Sequence, residues 1–395
     1  MKMDFESALQ YLEQFVSYEK LVKVPYNESN FDLANFRKFL DKSGIDYSKL
    51  KIFHVGGSKG KGSVSTMIAQ YLRKKGLKSG LFTSPHIFSV RERFWFDGEF
   101  ISEKEFAKYV QEIKRFLSKE KFNLTYFEIL TAIAFKFFLD RGAEYAVLEV
   151  GLGGRLDSTN VVRPLVSVLT LIEKEHVDIL GPTLKDIVRE KLGIKKRGVP
   201  LVVGFQKSAV RELIQDQCRE AIFVDVKAQT ADMMNANLAI LALKKGLKTI
   251  DMALFAEVLS EFKMPGRFDI RQIAGKTVVF DMAHTVSSVK NLILSLERTF
   301  PEKEFVFLVS VMKGKQVKQI FKEIANVASK VVLTSSNKAR GYSGKEIFDL
   351  TEGILRCEIS ENPELAYKKL KKELKKNQVL VITGSHFLVS RLLKP

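Results

Sequence analysis

Cysteine is nearly absent: the 395-residue chain has two, Cys218 and Cys357, and neither belongs to a C-x-x-C pair. Two isolated thiols cannot build a disulfide framework or a thiolate zinc site, which argues for a reducing compartment. Proline (9) and glycine (24) are too scarce for a collagenous or low-complexity chain. Long apolar runs are missing too. An apolar stretch such as residues 161–172 is broken by Arg163 and Pro164 and falls short of the roughly 18 residues that suggest a membrane span. The N-terminus, Met1-Lys2-Met3-Asp4-Phe5-Glu6, brings acids in place of the apolar segment of a signal peptide. These absences predict a cytoplasmic protein with no membrane partner.

Acidic charge is the scarce sign, with 46 Asp+Glu against 64 Lys+Arg and a net charge of +18. Nucleic acid is one reading of such a surplus. The lysines are dispersed, however, and the densest cluster, residues 368–376, alternates with Leu370 and Leu374 as a solvated helix face does. No aromatic-interleaved basic stripe accompanies them. A polyanionic small substrate, or plain lysine enrichment, is the better reading. With 46% hydrophobic residues the chain has enough apolar surface to fold, and its length at roughly 150 residues per domain predicts two or three domains.

What is present alternates short β-rich runs with longer helical patterns, the signature of a mainly parallel α/β sheet. A strand over 52–55 meets a glycine-rich turn. A helix over 63–75 follows, with Met67, Ile68, Tyr71 and Leu72 on one face. Strands over 79–83 and 145–150 and a continuous apolar run over 165–172 complete the first series, with helices over 103–119 and 126–141 between them. The stretch Lys263-Met264-Pro265-Gly266-Arg267-Phe268 interrupts this rhythm. A second series follows over 277–280, 287–299, 304–309, 317–328, 330–334 and 378–383. The expected fold is therefore α/β, with one large domain over 1–267 and one smaller domain over 268–395.

The strongest chemical signal is Gly56-Gly57-Ser58-Lys59-Gly60-Lys61-Gly62-Ser63 between strand and helix. Glycines let backbone amides wrap phosphates, the helix N-terminus adds positive dipole, and Lys61 reaches terminal phosphates. The strict G-x-x-x-x-G-K-[ST] pattern is not met, since Val55 holds the first glycine position and Gly62 precedes Ser63. A turn with two solvated lysines is the bland alternative. Glu149 ends a strand just before Gly151-Leu152-Gly153-Gly154-Arg155-Leu156-Asp157. An acid there suits a metal ligand and, taken alone, suits equally a buried carboxylate paired with a lysine. His176, and Asp281 with His284, also follow strands, where each fits a plain turn as well.

Their joint order resembles the folylpolyglutamate synthase and dihydrofolate synthase family of the Mur ligase superfamily. The matching blocks are residues 54–63, Phe82-Thr83-Ser84-Pro85-His86 with Arg91-Glu92-Arg93, residues 149–160, His176 with Leu180-Gly181-Pro182-Thr183, residues 189–195, Pro265-Gly266-Arg267-Phe268, Asp281 with His284, and Ile382-Thr383-Gly384-Ser385. They span nearly the whole chain in the family's order, and the resemblance implies a large P-loop-type nucleotide-binding domain with a mainly parallel sheet over 1–267 and a smaller Rossmann-like domain over 268–395. The resemblance implies that Gly57, Ser58, Lys59, Gly60, Lys61, Gly62 and Ser63 hold the ATP phosphates. It implies that Ser84 and Glu149 ligate one Mg²⁺, and that Glu149 and His176 ligate a second. Lys191 matches a lysine that becomes carbamylated. Asn235, Arg267, Asp281 and His284 would contact the nucleotide, and Arg91 and Asp157 the substrate. Lys61, Glu149, His176 and Lys191 would form the catalytic set.

The implied activity is ATP-dependent addition of L-glutamate to a folate, or to dihydropteroate, through an acyl phosphate, by a monomeric enzyme whose domains close on the nucleotide. Four departures stand out. The family's Thr-Asn in the phosphate loop is Ser58-Lys59. Its Leu-Asp-His is Lys174-Glu175-His176. Its Asp-Gly-Ala-His-Asn is Asp281-Met282-Ala283-His284-Thr285. The segment from Ala221 to Asn235 is short and lacks the family's Pro-Gly-x-His-Gln lead-in, so Asn237 is a rival for the role of Asn235. Alternatives are a Mur-type ligase with another carboxylate acceptor and a non-catalytic ATP- or folate-binding homologue.

Overall fold

Runs of Val, Ile, Leu and Phe too short for helices make most of the strands. The computed structural model describes residues 3–17, 27–28, 31–225, 230–337 and 339–393. It divides into two units, Met1–Phe262 and Lys263–Pro395. Arg267 thus goes with the second unit. Residues 226–229 of the shortened segment lie outside the described residues.

The first unit holds β1 (Lys51–Gly56), β2 (Ser79–Phe82), β3 (Phe94–Phe96), β4 (Glu99–Phe100), β5 (Tyr145–Glu149), β6 (Val166–Leu169), β7 (Leu201–Val203) and β8 (Ile222–Phe223), in the order β4-β3-β2-β5-β1-β6-β7-β8. All neighbours pair in parallel except β2 with β3 and β3 with β4. Its helices are α1 (Phe5–Leu12), α2 (Leu33–Lys42), α3 (Lys61–Lys74), α4 (Glu103–Leu117), α5 (Tyr126–Asp140), α6 (Val177–Leu180), α7 (Leu184–Leu192), α8 (Ser208–Gln217), α9 (Ala231–Leu247) and α10 (Met252–Glu261).

Side-chain alternation along β1 sends Ile52 to one face and Phe53 and Val55 to the other. Phe53 and Val55 pack under Val64, Met67, Ile68 and Tyr71 of α3, with Ala239 and Leu243 of α9 and Phe255 of α10. Ile52 and Leu148 join the phenylalanine-rich layer of α2, α4 and α5. Each fully buried apolar side chain contributes about 1.5–3 kcal/mol, so this double cover fixes where β1 and β5 end. The chain leaves β1 for β2, passing β5, and leaves β5 for β6, passing β1. Such a reversal opens a crevice at the C-terminal ends of the two strands, where ligands bind in doubly wound sheets.

The second unit is a six-stranded sheet of β9 (Asp269–Ile273), β10 (Lys276–Phe280), β11 (Glu304–Val309), β12 (Ala328–Leu333), β13 (Glu358–Ile359) and β14 (Gln378–Thr383), in the order β13-β12-β11-β14-β10-β9. Only β9 is antiparallel. Residues 263–395 carry 24 Lys+Arg against 13 Asp+Glu, a net +11, whereas residues 1–262 carry 40 against 33, a net +7. The basic surplus is thus concentrated in the smaller unit.

Candidate functional site

The loop between β1 and α3 is shaped by what lies behind it. Gly57 has φ +134°, and a Cβ there would fall 2.0 Å from Thr170 Oγ1. Gly60, the N-cap of α3, has φ +87°, and a Cβ there would fall 2.2 Å from Asn235 Oδ1. Neither position tolerates a side chain. The amides are not all spare. Ser58 N and Lys59 N both donate to Leu171 O, at 2.9 and 3.1 Å, and the Ser58 hydroxyl pairs with the backbone of Glu173. The amides of Gly60 to Ser63 precede the first intrahelical bond, from Val64 N to Gly60 O. The anion-facing donors are therefore the helix N-terminus rather than the whole glycine-rich stretch.

Two ammonium groups converge on one carbonyl of this loop. Lys61 Nζ donates to Gly57 O at 3.2 Å and Lys191 Nζ to the same oxygen at 2.9 Å. Lys191, on α7, is 2% exposed and also pairs with Glu175 Oε1 at 3.0 Å. Burial lowers the Lys191 ammonium to about 8, with Lys61 and Lys59 adding to the shift and Glu175 opposing it. Burial acts to raise Glu175, but Lys191, Lys61 and His176 outweigh it and hold the carboxyl at about 2. Glu175 is a site residue that the sequence shows only as a longer acid ahead of His176. The contact that gives it a role is made by α7.

A measurable consequence concerns stability. Glu175→Gln leaves a buried ammonium without its counter-charge and is expected to lower unfolding free energy by about 3 kcal/mol. A folded-state carboxyl held below its unfolded value stabilises fully above pH 4.5 and loses that contribution as pH falls through about 2. The gap between wild type and variant in denaturant titrations should accordingly be widest between about pH 4.5 and 8, where both partners are charged in the wild type, and close in acid. A constant gap down to pH 2 would contradict the pairing.

Glu149, buried at the end of β5, accepts Ser84 N at Oε2, 3.1 Å away. This bond joins two of the three expected metal ligands. His176 follows Glu175 directly, has φ +49° and caps α6. Among the described residues no three or more His, Cys, Asp or Glu side chains gather as a metal cage. The donors fit Mg²⁺ differently: it is commonly held by one or two carboxylates and completed by water and substrate phosphates, and Glu149 with the Ser84 hydroxyl offers the hard oxygens it prefers.

Other expected residues have structural partners. Asp157 is buried and accepts Gly151 N, Leu152 N, Thr159 N and the Thr159 hydroxyl, while burial raises its carboxyl. Thr159 Oγ1, which donates to Asp157, lies 2.8 Å from His54 Nε2, and burial lowers the His54 imidazolium to about 3. Arg91 binds Ile101 O and lies 3.5 Å from Glu103. Its neighbours are the ones tied to the Ser84 loop: Glu92 accepts the amides of Ile87, Phe88 and Ser89, and buried Arg93 donates to His86 Nδ1. In the second unit, Asp281 accepts Phe268 N and Ala283 N, and His284 Nδ1 lies 2.8 Å from Met282 O. Arg267 N donates to Met264 O. Asn235, rather than Asn237, is the asparagine against Gly60.

A glycine-bent loop at a sheet reversal, backed by an acid on the adjacent strand, defines an α/β phosphate-binding protein of the P-loop type. Residues 55–279 match the Mur ligase middle domain, and residues 266–386 match the Mur ligase, glutamate ligase domain. The chain belongs to the Mur ligase family of ATP-dependent ligases. It is 29% identical to the dihydrofolate synthase/folylpolyglutamate synthase of Bacillus subtilis, over 92% of this chain and 94% of that protein. It is 26% identical to the dihydrofolate synthetase of Saccharomyces cerevisiae, over 92% and 97%. The crystal structure of a folylpolyglutamate synthase from Thermotoga maritima superposes with a TM-score of 0.82 at 28% identity, covering 98% of this chain and 95% of that one. No helix among the described residues is long and apolar enough to cross a membrane.

Proposed function

We propose that this chain is a folylpolyglutamate synthase, acting also on dihydropteroate, that joins L-glutamate to a carboxylate at the expense of ATP. The observation that carries this reading is the near-complete overlap with the Bacillus subtilis relative, both domains included. A carboxylate is a poor electrophile. Transfer of the γ-phosphoryl group of ATP to it gives an acyl phosphate, the glutamate amine attacks the acyl carbon, and inorganic phosphate leaves. Lys61 and the α3 amides hold the phosphates and offset charge on the transferring group. Lys191, as its carbamate, turns a cation into an anion beside the same loop. Ser84 with Glu149, and Glu149 with His176, would hold Mg²⁺, which when bound would supply charge neutralisation at the phosphoryl oxygens. The nucleotide roles of Asn235, Arg267, Asp281 and His284, and the substrate roles of Arg91 and Asp157, belong to this proposal. So do a cytoplasmic location and a monomeric state.

An ADP-release assay with Mg²⁺ and L-glutamate tests it, run separately with dihydropteroate and with a reduced folate monoglutamate. Acceptor-dependent turnover is expected with both. Turnover with only one narrows the activity to that reaction, and turnover with neither removes the folate assignment.

A further inference from the structure

We infer that Gln206 is a positioning residue of the nucleotide site, its carboxamide setting the height of the phosphate loop through the backbone of residues 170–172. β6 ends at Leu169 and β7 at Val203, so residues 170–172 continue beyond the sheet with no neighbouring strand on the β7 side. The last backbone bond between the two strands' ends is Gly204 N to Leu169 O. Beyond it Gln206 takes over: Nε2 donates to Thr170 O at 2.8 Å and Oε1 accepts Ile172 N at 3.0 Å. The side chain is 6% exposed and does for this segment what a parallel strand would do.

The opposite side of the segment is the seat of the phosphate loop. Thr170 N donates to Gly56 O, Leu171 O accepts both Ser58 N and Lys59 N, and the Thr170 side chain fills the space behind Gly57. Thr170 Oγ1 itself has no hydrogen-bond partner among the described residues, so packing alone holds it there. Residues 170–172 are therefore suspended between Gln206 and the loop. A shift of the segment moves Gly57, Ser58 and Lys59 with it. Three residues past Ile172 come Glu175, the partner of Lys191, and then His176.

The geometry demands one donor and one acceptor on a single planar group, which a carboxamide of this length provides without taking up a proton. Glutamate in its ionised form, above the carboxyl's pKa, keeps the bond from Ile172 N and sets a carboxylate oxygen against Thr170 O. Methionine keeps the shape and loses both bonds, leaving a buried donor and acceptor unpaired. Because the effect passes through the loop, it should weigh on nucleotide and leave the acceptor's own contacts alone.

The inference rests on reading residues 57–63 as a phosphate cradle, and direct ADP binding separates the two. Wild type, Gln206→Glu and Gln206→Met are compared by calorimetry with Mg²⁺ and ADP, by steady-state kinetics and by thermal melting. Both variants are expected to raise the Kd for ADP and the KM for ATP about tenfold. The folate KM should stay within about twofold of wild type, and kcat at saturating ATP within about threefold. Unchanged ADP affinity in either variant that melts cooperatively overturns the inference. So does a uniform loss in all kinetic constants that follows the melting temperature. Failure of wild type to bind ADP would instead sink the cradle reading itself.

Discussion

Replacing Lys61 with Met, or Glu149 with Gln, is expected to reduce glutamate-dependent ADP release by about a thousandfold, the scale of losing one electrostatic contact to a transition state. Lys61 is the first residue of α3 and its ammonium is already at the loop, on Gly57 O. Phosphoryl transfer spreads negative charge over oxygens that this group would face, and methionine preserves its length without its charge. Glu149 differs in kind. Its carbonyl replacement in glutamine still accepts Ser84 N, so the β5 end and the Ser84 loop should hold their places while an anionic ligand is lost. Both variants should therefore melt near the wild-type temperature. ADP release measured across ATP and Mg²⁺ concentrations distinguishes them: higher Mg²⁺ should partly restore Glu149→Gln and leave Lys61→Met unchanged. Wild-type turnover in either variant would remove that residue from the catalytic set.

The second large effect belongs to Lys191. Lys191→Ala is expected to cost about a hundredfold or more in kcat, and carbon-13 bicarbonate should give wild type a carbamate resonance that the variant lacks. An amine must be neutral to take up CO₂, and burial brings the Lys191 ammonium down to about 8, so a larger neutral fraction exists near pH 8 than for an ordinary lysine. The local charges oppose the product. A carbamate in place of the ammonium would set an anion against Glu175, now 3.0 Å away. Lys61, Lys59 and bound cations must offset that repulsion, so the resonance should strengthen when Mg²⁺ and ADP are added. A protein that turns over at full rate with no such resonance would rule the carbamate out and leave Lys191 as the counter-ion of Glu175.

How far the chain could be read in advance depends on the range of the interactions involved. β1, the glycine turn and α3 were legible because an apolar run, positive-φ residues and a 3.6-residue period are local signals, and the structure places the strand at Lys51–Gly56 and the helix at Lys61–Lys74. β11 and β14 fall on the expected residues for the same reason. The run over 165–172 is a strand only at Val166–Leu169, since its remainder leaves the sheet to meet the phosphate loop and Gln206, a tertiary demand that periodicity does not register. The hairpin of β3 and β4 went unread although Asp97-Gly98 is a turn signal, its strands being only three and two residues long.

The site shows the same limit. Glycine spacing announces a phosphate loop, but which amides remain for phosphate depends on Leu171 O, more than a hundred residues away. An acid such as Asp157 looks alike in sequence whether it binds a ligand or staples its own loop. The four bonds around it show that it staples its own loop, a role that spacing does not register.

The shared carbonyl of Gly57 bears on how fast nucleotide arrives. With Lys61 and Lys191 both on that oxygen, the loop presents ammonium charge at the crevice, beside the positive end of α3. An approaching polyphosphate is attracted before any contact forms, and the cations need only exchange one oxygen for another. Capture should be governed by electrostatic steering and slow steeply as ionic strength rises, while release is set by the bonds made once the phosphates are seated.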